Sequence, residues 1–123
     1  MNGREAPVTR TALFWGAAWG TAEATFGHVL HALPVPGLAG FLMIPCGIFF
    51  MLRAFRATGR PSSMALAAAG AALVKLADIL LPGRGILMAV RPALAILTEG
   101  LVASLAVSLA ARSAAFRARR GVF

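Results

Sequence analysis

The chain has no tyrosine, a single cysteine, a single lysine and only four acidic residues among its 123 positions. One cysteine, Cys46, excludes an intrachain disulfide and any Cys-x-x-Cys chemistry, and beside Pro45 it reads as a space-filling side chain. Charged residues make up 13% of the chain against 59% hydrophobic, too few to clothe a soluble domain of this size. Mean hydropathy is +0.81, which places the chain in the membrane class. Also missing are Gly-x-Ser-x-Gly, a phosphate-binding Walker loop and Gly-x-Gly-x-x-Gly, and no serine has a basic partner at matching depth, so no enzyme activity is expected.

What is abundant is alanine and arginine, eleven Arg to one Lys, the usage of a GC-rich bacterial genome. The net charge of +8 does not point to nucleic acid, because the arginines flank apolar segments as juxtamembrane anchors do. Some are placed to meet anionic lipid headgroups.

Four spans are expected, near residues 11–33, 38–55, 62–81 and 92–111, in one membrane domain covering 1–123 with a basic C-terminal tail at 112–123. Pro34, Pro36 and Gly37 end the first, Pro45 is expected to kink or interrupt the second, and Ser62 is a candidate N-cap for the third. Pro82 to Gly85 form the next break, 86–91 is a possible re-entrant piece, and Pro92 sits at the first turn of the fourth span. The tail is expected to be an interfacial helix or disordered. No cleavable signal peptide is expected, since Glu23 falls inside the first apolar stretch. The N-terminal tail, the 53–60 loop and the C-terminal tail carry nine Lys and Arg, against two in the other loops. That bias predicts an all-α, four-helix inner-membrane bundle with both termini cytoplasmic.

Eight ionisable residues lie in or beside these spans: Glu23, His28, His31, Lys75, Asp78, Arg84, Arg91 and Glu99. At about 1.5 Å per residue, Glu23 is about 15 Å below the outer end of its span, His28 about 8 Å and His31 about 3 Å. Lys75, Asp78 and Glu99 come out about 9, 5 and 10 Å deep, with Arg84 and Arg91 at the rim. All eight fall in the outer half, and charge at such depth is costly enough to mark a functional site by default.

Phase adds a face. Gly16, Gly20, Glu23, Gly27 and His31 recur every three or four residues, so the glycines form a surface for close helix packing, in cis or with another chain. On that phase Glu23 and His31 look inward and His28 lies at the stripe's edge. Ala71, Lys75 and Asp78 share a stripe on which Lys75 and Asp78 can pair, and Ala95, Glu99 and Val102 share another. Three acids against Lys75, Arg84 and Arg91 nearly cancel, as a low dielectric requires. Trp15 and Trp19, one turn apart, read as an interfacial belt or bundle packing.

Three functions fit. The first is a polar pocket in the outer leaflet that binds or translocates a small polar or ionic ligand, as a transporter or the membrane subunit of one. Arg84 and Arg91 would attract an anion, while Glu23, His31, Lys75 and Glu99 hold it or a cation deeper inside, with protons coupling through Glu23 or Glu99. The second is an accessory or scaffold subunit whose polar network is purely structural. The third is a haem or metal site through His28 and His31. The cofactor is not named by the sequence. The expected partners are the lipid bilayer and further copies of the chain or a larger membrane complex, with no nucleic acid.

Overall fold

The structure is a computed structural model that describes residues 5–83 and 85–121. Its elements are all helical, with no strand among the described residues. The first helical path comprises α1 (Glu5–Ala22), a π-helical turn (Glu23–Gly27) and α2 (His28–His31). α3 spans Leu38–Thr58, α4 spans Ser62–Leu76 and runs into a 3-10 turn (Ala77–Leu80), and α5 spans Ile86–Arg120. Only closed backbone hydrogen bonding is tolerable in hydrocarbon, and helices supply it within a single segment. The hydroxyls follow the same rule: Thr21, Thr58, Thr98 and Ser108 each donate to a backbone carbonyl one turn back at 2.8 Å.

Among the described residues, three helical segments are long and apolar enough to cross a membrane: Leu38–Thr58, Ser62–Leu80 and Ile86–Arg120. α1 is not among them. It is 18 residues long and opens with Glu5, Thr9, Arg10 and Thr11 before its apolar part begins. The distribution of side-chain sizes supports the membrane setting. Ala12, Ala67, Ala68, Ala71 and Ala93 are buried, whereas Phe14, Phe26, Phe41, Leu94, Leu101 and Leu105 face outward. Small residues inside and large apolar ones outside suit a solvent as apolar as the side chains themselves.

α1 and α4 run parallel in close contact, and α4 also packs against α5 and α3. α3 packs on α1 but scarcely meets α5. The core lies on α4, where Ala68, Ala71 and Ala72 meet Trp19, Met51, Met64, Ala93 and Ile96. The glycine stripe of α1 is used in cis. A Cβ on Gly16 would run into the backbone carbonyl of Ala67, and one on Gly20 would lie 2.6 Å from the Val74 Cβ. Gly27 is buried too, but its near neighbour is Oε2 of Glu23, 3.4 Å from where its Cβ would stand.

Several boundaries differ from expectation. α3 continues through Pro45, because a missing N–H leaves one carbonyl without its usual donor and need not end the helix. Pro61, not Ser62, is the N-cap of α4, and no side chain caps it. Ser63 instead donates to the Arg60 carbonyl at 2.7 Å. The segment 86–91 is not re-entrant but opens α5, which runs through Pro92 and on to Arg120. At 35 residues α5 is about 52 Å long, beyond the roughly 30 Å of a bilayer's hydrocarbon core. Its basic end continues the helix without a break. Turns close on glycines with positive φ, such as Gly59 (φ 69°), whose N–H donates to the Phe55 carbonyl at 2.7 Å.

Candidate functional site

The up-and-down chain path brings four segments to one end of the bundle. They are the π turn with α2, the start of α3, the end of α4 and the start of α5. Several clefts open there among the described residues, and two of them gather the ionisable side chains. One, of about 620 Å³, is lined by His28, His31, Lys75, Met88, Arg91 and Pro92, among others. The other, of about 380 Å³, lies between α3 and α5, with Glu23, His31, Met43, Arg91, Ile96 and Glu99 in its walls. His31, Arg91 and Pro92 belong to both. The second cleft exists because α3 and α5 hardly touch. Both volumes lie in the range of small-molecule sites.

Six of the eight ionisable residues singled out from the sequence therefore line these clefts: Glu23, His28, His31, Lys75, Arg91 and Glu99. Asp78 stands behind Lys75, its Oδ2 2.9 Å from Nζ, and the two side chains are only 11% and 5% exposed. That bridge is the one ion pair among the described residues, and it lies within a single helical turn. Arg84 lies outside the described residues.

The local chain explains each placement. Glu23 opens the π turn, and Thr25 back-bonds there to the Thr21 carbonyl at 2.9 Å. A π turn inserts one extra residue into the helix, so every side chain beyond it is rotated by about 100° from the α phase. The 3.6-residue phase that puts His31 on the glycine stripe fails for that reason. His28 and His31 are both exposed, at the cleft mouths, whereas Glu23, at the turn's start, stays half-buried. Lys75 and Asp78 follow Ala71 on the buried face of α4, as their spacing predicts.

On α5 the buried face is Ala89, Ala93, Ile96 and Gly100, instead of the Ala95, Glu99 and Val102 stripe. Glu99 flanks that face and reaches α3. Pro92 removes the N–H that would otherwise bond the Met88 carbonyl, beside the larger cleft.

One residue was not anticipated. Gly47 of α3 is buried where Trp19 and Glu99 converge: a Cβ there would lie 2.5 Å from the indole Cζ2 and 2.9 Å from the Glu99 Oε1. Its only sequence signal is a small residue next to Pro45-Cys46 in an otherwise bulky helix. Trp19 is fully buried, and its N–H is turned toward Glu23 without closing a hydrogen bond. Glu99 Oε1 is likewise buried and accepts no hydrogen bond. Trp15 sits one turn earlier on α1, with the Arg53 guanidinium 5.2 Å from its ring centre.

The donors do not resemble a metal centre. Among the described residues no three His, Cys, Asp or Glu side chains come together as a ligand set, and His28 and His31 are both solvent-facing. Comparison with protein-family models, curated proteins and solved structures finds no match to this chain.

Proposed function

We propose that this is a four-span bacterial inner-membrane protein with both termini in the cytoplasm, whose outer-leaflet clefts bind a small polar or ionic ligand. It would act as a transporter or as the membrane subunit of one, alone as an oligomer or within a larger complex. The observation that carries this reading is the convergence of Glu23, His28, His31, Lys75, Arg91 and Glu99 on two clefts that share His31 and Arg91. A polar network that only glued helices together would pair its charges between helices. Among the described residues, Glu23, Glu99 and Arg91 instead share a cleft with no ion pair between them.

The fourth span is the helical path from Glu5 to His31, whose flanking residues at the π turn keep right-handed helical angles. Orientation rests on charge. Arg10, Arg53, Arg56, Arg60, Arg112, Arg117, Arg119 and Arg120 all belong to the end opposite the clefts.

The test compares the native protein with Glu99→Gln, each held in lipid nanodiscs and exposed to a mixture of small polar metabolites. Mass spectrometry of the retained molecules should find a species held by the native protein and lost from the variant, at unchanged helicity. Identical retention by both, or loss of helicity in the variant, would favour the scaffold reading.

A further inference from the structure

The smaller cleft has two chemically opposite ends. Glu23 and Glu99 lie at one, Arg91 and His31 at the other, and among the described residues no ion pair joins them. Arg91 and Glu99 are eight residues apart on α5, a rise of about 12 Å. Helical side chains lean toward the N-terminus, so Glu99 leans toward Arg91 while Arg91 leans away from it. The separation is therefore kept open by the geometry of one helix.

At the acidic end two buried polar atoms have no partner. Oε1 of Glu99 has no donor, and the N–H of the fully buried Trp19, aimed at Glu23, has no acceptor in hydrogen-bond geometry. Orphaned polar atoms at this depth are costly and call for an explanation. A donor placed between the two carboxylates would satisfy Glu99 and leave Glu23 an oxygen for the indole.

We propose that the smaller cleft binds a zwitterion, with its ammonium group between Glu23 and Glu99 and its carboxylate or other anionic group at Arg91. This deepens the ligand-binding reading above and rests on it. Three donors on an ammonium match two carboxylates with an acceptor to spare, and a guanidinium matches a planar anion. Such a ligand adds no net charge to the membrane interior while pairing groups that the protein leaves unpaired. The gap between the ends selects against compact zwitterions.

The probes are glycine, 4-aminobutanoate and 6-aminohexanoate, with butylamine and butanoate as analogues carrying one charge only. The readout is the indole N–H resonance of Trp19 in ¹⁵N-labelled protein in nanodiscs, with that of Trp15, which is beside Arg53 and away from the cleft, as internal control. The longer amino acids should move the Trp19 signal saturably and glycine should do so more weakly. Glu99→Gln and Arg91→Gln should each weaken binding by roughly tenfold or more, the scale of one lost charge-assisted contact. Butylamine acting as strongly as 4-aminobutanoate, with Arg91→Gln silent, would overturn the zwitterion in favour of a simple cation. Butanoate acting alone, with Glu99→Gln silent, would overturn it in favour of an anion. In both cases the ligand-binding reading survives. Silence from all five probes overturns the zwitterion outright, and metabolite retention then decides the fate of the broader reading.

Discussion

Gly47 of α3 faces Trp19 of α1 so closely that a Cβ at position 47 would stand 2.5 Å from the indole Cζ2. Glu99 of α5 closes on the same point, its Oε1 2.9 Å away. Three helices thus meet at one missing side chain, and the carboxylate at the acidic end of the cleft is positioned by that absence.

Gly47→Ala is therefore expected to destabilise the protein by about 1–3 kcal/mol, the usual cost of forcing atoms into a filled interior. It should also displace Glu99 and disturb the Trp19 resonance. Gly40→Ala, seven residues earlier on α3, meets nothing within 4 Å and should be close to silent. Denaturant titration in bicelles measures the difference. Equal stability of the two variants would refute the wedged geometry.

Lys75 and Asp78 form a buried bridge, and removing Asp78 strands the Lys75 charge. Asp78→Leu alone should cost about 3 kcal/mol, and Lys75→Met should also destabilise. The double variant should recover most of that loss, because neither charge remains to be solvated. A double-mutant cycle gives the coupling, and additive losses would mean that the bridge itself contributes nothing to stability.

The α1–α4 seam tolerates no added bulk at two glycines. Gly16→Leu and Gly20→Leu should each lose about 2 kcal/mol or fail to insert as a compact bundle. Gly27→Ala meets only the Glu23 carboxylate at an ordinary 3.4 Å, so it should fold normally. Thermal aggregation of the three purified variants distinguishes these outcomes.

Reporter fusions test which way the bundle faces. A fusion at Gly59 should report the cytoplasm and one at Gly85 the outside. Both positions are exposed in turns, so neither insertion disturbs packing. A cytoplasmic reporter at Gly85 would move the clefts to the inner face and reverse the direction from which a ligand enters.

The sequence alone was enough to set the helical class, the order of the helices and the places where the chain turns. Few charges and long apolar stretches leave helices as the only backbone solution, and prolines and glycines at 34–37, 59–61 and 82–85 mark where they turn. Turn positions in an up-and-down chain also fix which residues share an end, so the polar cluster could be assembled from helix rise alone. Pairing of Lys75 with Asp78 was legible because i,i+3 neighbours on one helix need no tertiary information.

Only the tertiary structure decided the faces beyond each irregularity and the distances between helices. The π turn at Glu23–Gly27 adds a residue to one turn, and nothing in the periodicity announces it, so His31 leaves the stripe on which its spacing places it. Whether the glycines of α1 serve this chain or another depends on which helix arrives opposite, and that helix is α4. The site at Gly47 joins α1, α3 and α5. Residues so far apart in sequence are brought together by packing, which no local pattern encodes, because what matters there is the space that a missing Cβ leaves between three helices.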